Sequence, residues 1–502
     1  MNRALRRVSL ICLVLFVLLL VNVNYVQGFE ASSLATKPGN GRTFSASLQF
    51  QRGSIVTADQ NVVAYSKMNK NFGEYQRHYP FGEMYAPVTG YDTLYSQTAI
   101  EQAENKDLAG TDPALEVHNL IDLISGKPKK GATVELTVNS VAQEAAWKAL
   151  KASGRESGVV AINPRTGAIL ALASYPSFDP NLLATLDGKK LIKNDKQLLA
   201  DPAHPLINNA ISTTFPPGST FKIVTSSTAF QTGKVASETT PVYAPTKLIL
   251  PDTSTPLIND DGSACNNGDN PSGNGKVPLI YAFTVSCNTV FGALGERLGG
   301  PALRTEAEKY NFNDPNLTLA PGMQVAQSNF PLPNGAAQTA GSAIGQESVT
   351  VTPLQEAMLA ATVANNGVLM KPYLVQKVTA PDLSAVQTAT PTQLNTPLTP
   401  PQAAHLQAMM TSVVQSTAGT AHATAGTQVT GGIEIAGKTG TAQNGINNSG
   451  LDDAVFTGYA PTSNPQIAVG VVVKGGGFGA DAAAPIAVAI IKAYLNSQQG
   501  KG

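Results

Sequence analysis

At 502 residues the chain is too long for one ordinary hydrophobic core, so two or more domains are expected. Only 14% of its residues are charged, 34 basic against 34 acidic, and no basic block stands out, which leaves nucleic-acid binding without electrostatic support. His78, His118, His204, His405 and His422 form no close ligand pair and the three cysteines form no zinc pattern, so no metal site is expected.

Arg3, Arg6 and Arg7 precede an almost unbroken run of Leu, Val, Ile and Phe over residues 8–21, extended through two asparagines to Val26. That stretch approaches the roughly 20 residues a spanning helix needs. Gln27-Gly28-Phe29-Glu30 offers no clear cleavage site. Residues 1–7 therefore read as a cytoplasmic tail and 8–26 as an uncleaved signal anchor in a cell membrane, with the rest of the chain extracytoplasmic. A cleaved signal peptide is the alternative, and it exports the same residues.

Residues 27–130 read as a small mixed α/β module without obvious catalytic chemistry, with strand-like alternation over 45–51. Residues 131–497 read as a second, larger domain. Residues 134–138 look like a strand and 141–151 like a helix. Two apolar runs, 158–162 and 168–174, flank Asn163-Pro164-Arg165-Thr166-Gly167, a hairpin signature. Residues 279–298 carry apolar spacing compatible with a helix. Residues 455–460 and 466–474 suggest two more strands, and 484–495 a closing helix. Strands at both ends of this segment, with helices between, imply one antiparallel sheet built from distant parts of the chain and a helical subdomain beside it. Residues 251–276, 381–399 and 439–452 have the composition of loops.

The chemistry concentrates in three short motifs. Ser219-Thr220-Phe221-Lys222 is the single Ser-x-x-Lys of the chain, and its Pro216-Pro217-Gly218 lead opens a helix. Residues three apart on a helix share a face, so the Lys222 amine can reach the Ser219 hydroxyl and act as its base if it is neutral. Burial and a nearby cation both favour neutrality. The single Lys-Thr-Gly, Lys438-Thr439-Gly440, supplies such a cation if folding brings Lys438 close. It follows Ile433-Glu434-Ile435-Ala436-Gly437, which reads as an edge strand whose small residues let a peptide lie alongside. Ser-x-Asn occurs twice. Ser272-Gly273-Asn274 reads as solvated loop, whereas Ser286-Cys287-Asn288 interrupts a helical pattern, either for a site or for a helix junction with satisfied hydrogen bonds. Ser286 could pass a proton to a leaving amine and Asn288 hold a substrate amide. Cys265 and Cys287 could pair in an oxidising compartment, or remain two buried thiols.

Taken in order, the three motifs resemble those of the penicillin-recognising serine transferases. Pro205-Leu206-Ile207-Asn208-Asn209-Ala210 leading to Phe215-Pro216-Pro217-Gly218-Ser219 is similar to the approach to the active serine in class B penicillin-binding proteins. Asn209 and Phe215 stand where relatives usually carry arginine and tyrosine. The hairpin at 158–171, Ala343-Ile344-Gly345-Gln346, Val351-Thr352-Pro353-Leu354-Gln355 and the membrane-proximal Gln51-Arg52-Gly53-Ser54-Ile55 resemble further landmarks, with Thr352 and Pro353 capping and opening a helix. The short N-terminal module looks most like that of the actinobacterial branch, where it would serve as a pedestal or dimerisation module.

The resemblance implies a β-lactamase-like α/β fold and a D,D-transpeptidase that needs no cofactor. Its substrates would be peptidoglycan stem peptides ending in D-Ala-D-Ala, and β-lactams would acylate the same serine. It further implies Ser219 as nucleophile, Lys222 as base and Ser286 and Asn288 as the Ser-x-Asn pair. Lys438 and Thr439, followed by Gly440, would bind the substrate carboxylate, and the backbone N–H groups of Ser219 and Thr441 would form the oxyanion hole. A membrane glycosyltransferase of the RodA/FtsW type is the implied partner. The competing readings are a hydrolase, either carboxypeptidase or β-lactamase, and a non-catalytic penicillin sensor or scaffold. The first is disfavoured because the Glu-x-x-Leu-Asn pattern that activates water in serine β-lactamases does not occur.

Overall fold

A computed structural model describes residues 2–30, 33–34, 48–115, 129–251, 256–260, 262, 264–265, 275–426, 432–443 and 450–499. The N-terminal helix α1 (Asn2–Tyr25) continues as a wider π turn over Val26–Glu30. Together Leu5–Glu30 is long and apolar enough to cross a membrane, with a mean hydropathy of 2.5 and none of it packed against the rest of the chain. This apolar helix begins earlier and ends later than the expected anchor at residues 8–26.

Short strands β1 (Ile55–Val56), β2 (Val62–Asn69), β3 (Glu74–His78) and β4 (Thr133–Leu136) come next. Helix α2 (Ser140–Ser153) is capped by the Asn139 side chain, which accepts from Ala142 N, and stops at Gly154 in the left-handed conformation. Strands β5 (Ser157–Ile162) and β6 (Ile169–Tyr175) form the expected hairpin. Helices α3 (Lys222–Gln231), α4 (Leu279–Thr284), α5 (Asn288–Leu298) and α6 (Pro353–Ala364) build the helical side of the catalytic region. The chain closes with β7 (Val375–Thr379), β8 (Ala385–Thr388), α7 (Pro400–Gln415), β9 (Ala436–Ala442), β10 (Asp453–Ala460), β11 (Ile467–Val473) and α8 (Gly479–Gln499).

Two sheets organise these elements. The catalytic sheet has the order β9-β10-β11-β5-β6 and is antiparallel throughout. Its strands are buried on both faces, which is why they read as continuous Val/Ala/Ile runs rather than alternating ones. Val159 and Ala161 of β5 join one core with α2 and α8, whereas Val160 and Ile162 join another with Leu354, Ala357 and Met358 of α6. All twelve residues of α6 are buried, as its apolar composition requires.

The second sheet runs β8-β7-β4-β1-β2-β3. Strand β4, expected to open the second domain, pairs parallel with β1 of the module and antiparallel with β7 from far downstream. The sheet therefore crosses residue 131. Its core includes a buried charge cluster: Glu101 accepts from Arg52 Nε at 2.7 Å, Arg77 Nε at 2.6 Å and the Tyr79 hydroxyl at 3.1 Å, while Arg52 Nη1 donates to Asn105 Oδ1 at 2.6 Å.

The Ser286-Cys287-Asn288 interruption is a helix junction: residues 279–298 are two helices, with Ser286 at a left-handed φ of 60° between them. Three expectations need correction. The strand expected at Ile433–Gly437 begins only at Ala436, so Lys438-Thr439-Gly440-Thr441 lies within edge strand β9 and not in a loop after it. The pairing partner β10 extends the strand past the motif. Residues 381–399 hold β8 and the short strand Gln393–Asn395, which pairs with Leu369–Met370. In the alternating stretch 45–51, Leu48–Phe50 are turn, Gln51 bridges to Lys130, and 45–47 lie outside the described residues.

Burial pushes the Glu101 carboxyl up, but Arg77 and Arg52 outweigh it and hold its pKa below the usual carboxylate value. Its stabilisation is therefore present above the unfolded-state pKa and lost as pH falls through the native one. Glu101→Ala takes the carboxylate from buried Arg77 and leaves Arg52 with only Asp92, 3.7 Å away, and is expected to cost roughly 3–5 kcal/mol. Urea unfolding of the variant checks this, and an unmoved midpoint would contradict it.

Candidate active site

The Ser219 turn is fixed from three sides. Phe215 exchanges backbone hydrogen bonds with Val351, 2.8 Å each way. Gly218 adopts φ 54°, donates to the Gly345 carbonyl at 3.0 Å, and comes so close to β9 that a Cβ on it would lie 2.6 Å from the Thr441 oxygen. A single tight turn, Gly218–Phe221, then feeds α3 at Lys222. Ser219 thus stands at the start of a helix, beside Thr441, where unpaired N–H groups gather. The Gly345 landmark and the Thr352 cap, which accepts from Gln355 N at 3.1 Å, serve to seat this turn.

Two lysines of the motifs, Lys222 and Lys438, are fully buried. Lys222 Nζ donates to Ser286 O at 2.7 Å and Asn288 Oδ1 at 2.7 Å, and sits 3.1 Å from Ser286 Oγ. Lys438 Nζ lies 2.8 Å from the same Ser286 Oγ and 3.0 Å from Thr439 O. The expected link between the two distant lysines is therefore made through one hydroxyl. The hydrogen bonds of Lys222 go to Ser286 and Asn288 rather than to Ser219, because the left-handed Ser286 turns its carbonyl toward the amine. Burial, and then the Lys438 charge, drive the Lys222 pKa well below the ordinary lysine value. Burial brings Lys438 down to about 7, against the pull of Asp260. A neutral Lys222 has two N–H groups and one lone pair, which matches two carbonyl-type acceptors and the Ser286 hydroxyl, itself receiving a hydrogen from Lys438.

The cavity in front measures about 510 Å³ and is lined by Ser219, Ser286, Thr439 and Thr441 among others. Gly440 packs on the Ser219 turn: a Cβ there would lie 2.6 Å from Pro217 O. Asn288 begins α5, and its Nδ2 donates to Asp260 Oδ1 at 2.7 Å. Cys265 and Cys287 form a disulfide, which ties the Asp260 segment to the Ser-x-Asn. Several contributors carry no motif: Asp260, Asn259, which accepts from Thr289 N at 3.0 Å, and Thr420, whose hydroxyl lies 2.6 Å from that of Thr439. Phe478, Gly479 and Asp481 complete the wall. Ser272-Gly273-Asn274 lies outside the described residues.

A helix-borne serine, two buried lysines and a bridging hydroxyl, set against the edge of an antiparallel sheet, define a serine acyl-transfer site of the penicillin-recognising class. Residues 157–492 match the penicillin binding protein transpeptidase domain, and residues 52–134 the penicillin binding protein A dimerisation domain. The chain belongs to the penicillin-binding protein transpeptidase family. It is 39% identical over 508 residues to the peptidoglycan D,D-transpeptidase PbpA of Mycolicibacterium smegmatis, covering 99% of each. Penicillin-binding protein A from M. tuberculosis, solved as a ceftriaxone acyl-enzyme, superposes with a TM-score of 0.83 at 37% identity over 90% of this chain and 99% of that one. The D,D-transpeptidase domain of a peptidoglycan glycosyltransferase from Eggerthella lenta gives 0.74 at 30% identity, covering 90% of this chain and 99% of that one.

The disulfide closes a loop of sequence separation 22 and on chain-entropy grounds is worth about 3 kcal/mol. Reduction is expected to lower thermal stability and to slow acylation by a fluorescent penicillin, because Asp260 is then no longer held on Asn288. An unchanged acylation rate after thiol treatment would refute the second half.

Proposed function

We propose that this chain is a membrane-anchored peptidoglycan D,D-transpeptidase that cross-links stem peptides through an acyl-enzyme on Ser219. The observation that carries the reading is the Ser286 hydroxyl held between the Lys222 and Lys438 amines, in the wall of the cavity that Ser219 also lines. Ser219 Oγ attacks the carbonyl between the two terminal D-alanines, and its proton passes to neutral Lys222. The oxyanion takes hydrogen bonds from the backbone N–H groups of Ser219 and Thr441. Collapse of the intermediate breaks the C–N bond, and the leaving D-alanine nitrogen receives the proton from Lys222 through Ser286. An amine of a second stem peptide then attacks the ester, losing its proton along the same route, and Ser219 is restored. Asn288 orients the donor amide. Lys438 and Thr439 bind the terminal carboxylate, with Gly440 keeping the strand close to the turn. A β-lactam, whose carboxylate and strained amide mimic the donor, acylates the same oxygen.

Residues 27–130 act as pedestal or dimerisation module and 131–497 as the transpeptidase domain. Arg3, Arg6 and Arg7 keep the N-terminus cytoplasmic, which leaves the catalytic domain outside, where a disulfide persists. A RodA/FtsW-type glycosyltransferase is the natural membrane partner, since cross-linking needs nascent glycan.

Mass spectrometry after penicillin treatment is expected to map one adduct, to Ser219, and Ser219→Ala to abolish it. A stem-peptide donor with an acceptor amine is expected to yield cross-linked dimer; free acid alone would indicate a hydrolase. Ser286→Ala is expected to slow acylation by about 10²–10⁴-fold, the usual worth of a proton-transfer group. The second-order acylation constant should also fall on the alkaline side as Lys438 discharges near pH 7, and Lys438→Arg should move that limb upward. An unshifted limb would remove Lys438 from carboxylate binding.

A further inference from the structure

Helix α6 carries one ionisable side chain, Glu356, and it is fully buried. Its Oε1 lies 2.8 Å from Thr220 Oγ1, one residue from the nucleophile, and its Oε2 has no hydrogen-bond partner among the described residues. Thr220 Oγ1 also lies 2.9 Å from the carbonyl oxygen of Pro217, at the opposite end of the Ser219 turn. A threonine hydroxyl has one hydrogen, and an ionised carboxylate and a carbonyl would both need it. The conflict vanishes if the carboxyl is the donor. Thr220 also touches the third motif, since a Cβ on Gly440 would lie 3.1 Å from Thr220 Cγ2.

We propose that Glu356 is a positioning residue for the nucleophile: held as a carboxylic acid, it donates its proton to Thr220 Oγ1, which donates in turn to Pro217 O. This two-bond relay anchors the Ser219 turn to α6, a helix whose twelve residues are all buried, and it rests on the transpeptidase reading of Ser219. Burial supports the neutral form, raising the Glu356 pKa to about 8 against the Thr220 hydrogen bond. The other ionisable side chains on elements packed against α6 are Lys222 just past the turn, Asp453 and Tyr459 on β10, and His405 on α7; none contributes to that shift. Glu356 is a positioning residue and not a proton carrier, because its oxygens contact Thr220 and not Ser219 or Lys222.

The test uses the full chain in detergent. Infrared difference spectra of wild type against E356Q at pH 7 are expected to show a protonated-carboxyl band that the variant lacks and that fades as pH rises through about 8. A carboxyl whose native pKa lies above its unfolded value loses stability as pH rises between the two, so the wild-type Tm should drop relative to E356Q across that window. E356Q, whose amide can still donate, should acylate with penicillin within about twofold of wild type, whereas E356A should lose about tenfold, the worth of one hydrogen bond. T220V removes the shared hydroxyl without opening a cavity and should lose the same factor, which keeps the test decisive where E356A fails to fold. Absence of the carboxyl band, E356Q as slow as E356A, or T220V as fast as wild type would each overturn the relay and leave Ser219 acylation untouched. A wild-type protein without a Ser219 adduct would overturn the transpeptidase reading instead, and the relay's catalytic purpose with it.

Discussion

The structure depends on one hydroxyl shared by two buried amines. Lys222 and Lys438 are both fully enclosed, and among the described residues neither touches a carboxylate. Two ammonium ions so placed would each bear several kcal/mol of desolvation and repel one another besides. The arrangement is tenable when one amine is neutral and Ser286 accepts from the charged one while giving its own hydrogen to the other. Local oddities follow from that requirement. Ser286 must occupy a left-handed conformation to present both its carbonyl and its hydroxyl to the lysines, so the helix it interrupts has to break. The break leaves the start of α5 without a side-chain cap from Cys287, and Asn259 supplies an acceptor from outside. The disulfide fixes the segment that brings it.

Much of this was legible in the sequence, for definite reasons. Reactivity demands particular residue types, so Ser219, Lys222, Ser286, Asn288, Lys438 and Thr439 stood out as motifs and meet in one place. Strands buried on both faces need unbroken apolar runs, which made β5, β6, β10 and β11 visible within a residue or two. What stayed hidden depends on partners remote in sequence. Ser286-Cys287-Asn288 marked a candidate junction within residues 279–298 but not the partner that stabilises it, because that partner is an amine from α3. Asp260 sits in a segment whose composition says only loop and Thr420 in one that carries no motif, and their roles come from what they face. Nor could β4 be assigned to the module's sheet, since its pairing partners lie on both sides of it in the chain. Glu356 did leave a trace: a lone carboxylate inside Pro-Leu-Gln-Glu-Ala-Met-Leu-Ala-Ala is out of keeping with a core helix, and such a residue calls for a reason.

Glycine explains why the motifs can approach so closely. Gly218 meets the Thr441 carbonyl, Gly440 meets the Pro217 carbonyl, and a Cβ on Gly345 would overlap the Gly218 carbonyl. Each contact is between backbones, and backbone cannot swing aside as the end of a side chain can. The glycine of the Lys-Thr-Gly thus has a role distinct from its neighbours: they face the site or the space behind it, and it lets the strand lie against the turn. The small residues that resembled a docking edge in the sequence are used first for internal packing.

The two parts of the chain that follow the apolar helix are joined by more than covalent continuity. Thr137 N donates to Leu374 O, and its hydroxyl donates to Ile169 O at 2.7 Å, so one residue ties the module's sheet to the first residue of β6. Two residues on, Asn139 N donates to Leu170 O while its side chain caps α2. The chain therefore passes from one sheet to the other with its backbone groups engaged at both ends, and no free linker stands between β4 and α2. An applied displacement of the module must break these buried hydrogen bonds before it can move the catalytic sheet independently, and each broken one leaves a donor or acceptor without water. Arg52, three residues before β1, pairs with Glu101 beneath the same sheet. A continuous run of backbone and buried side-chain contacts thus leads from Arg52, through β1 and β4, to the β5–β6 hairpin of the antiparallel sheet whose edge strand holds Lys438.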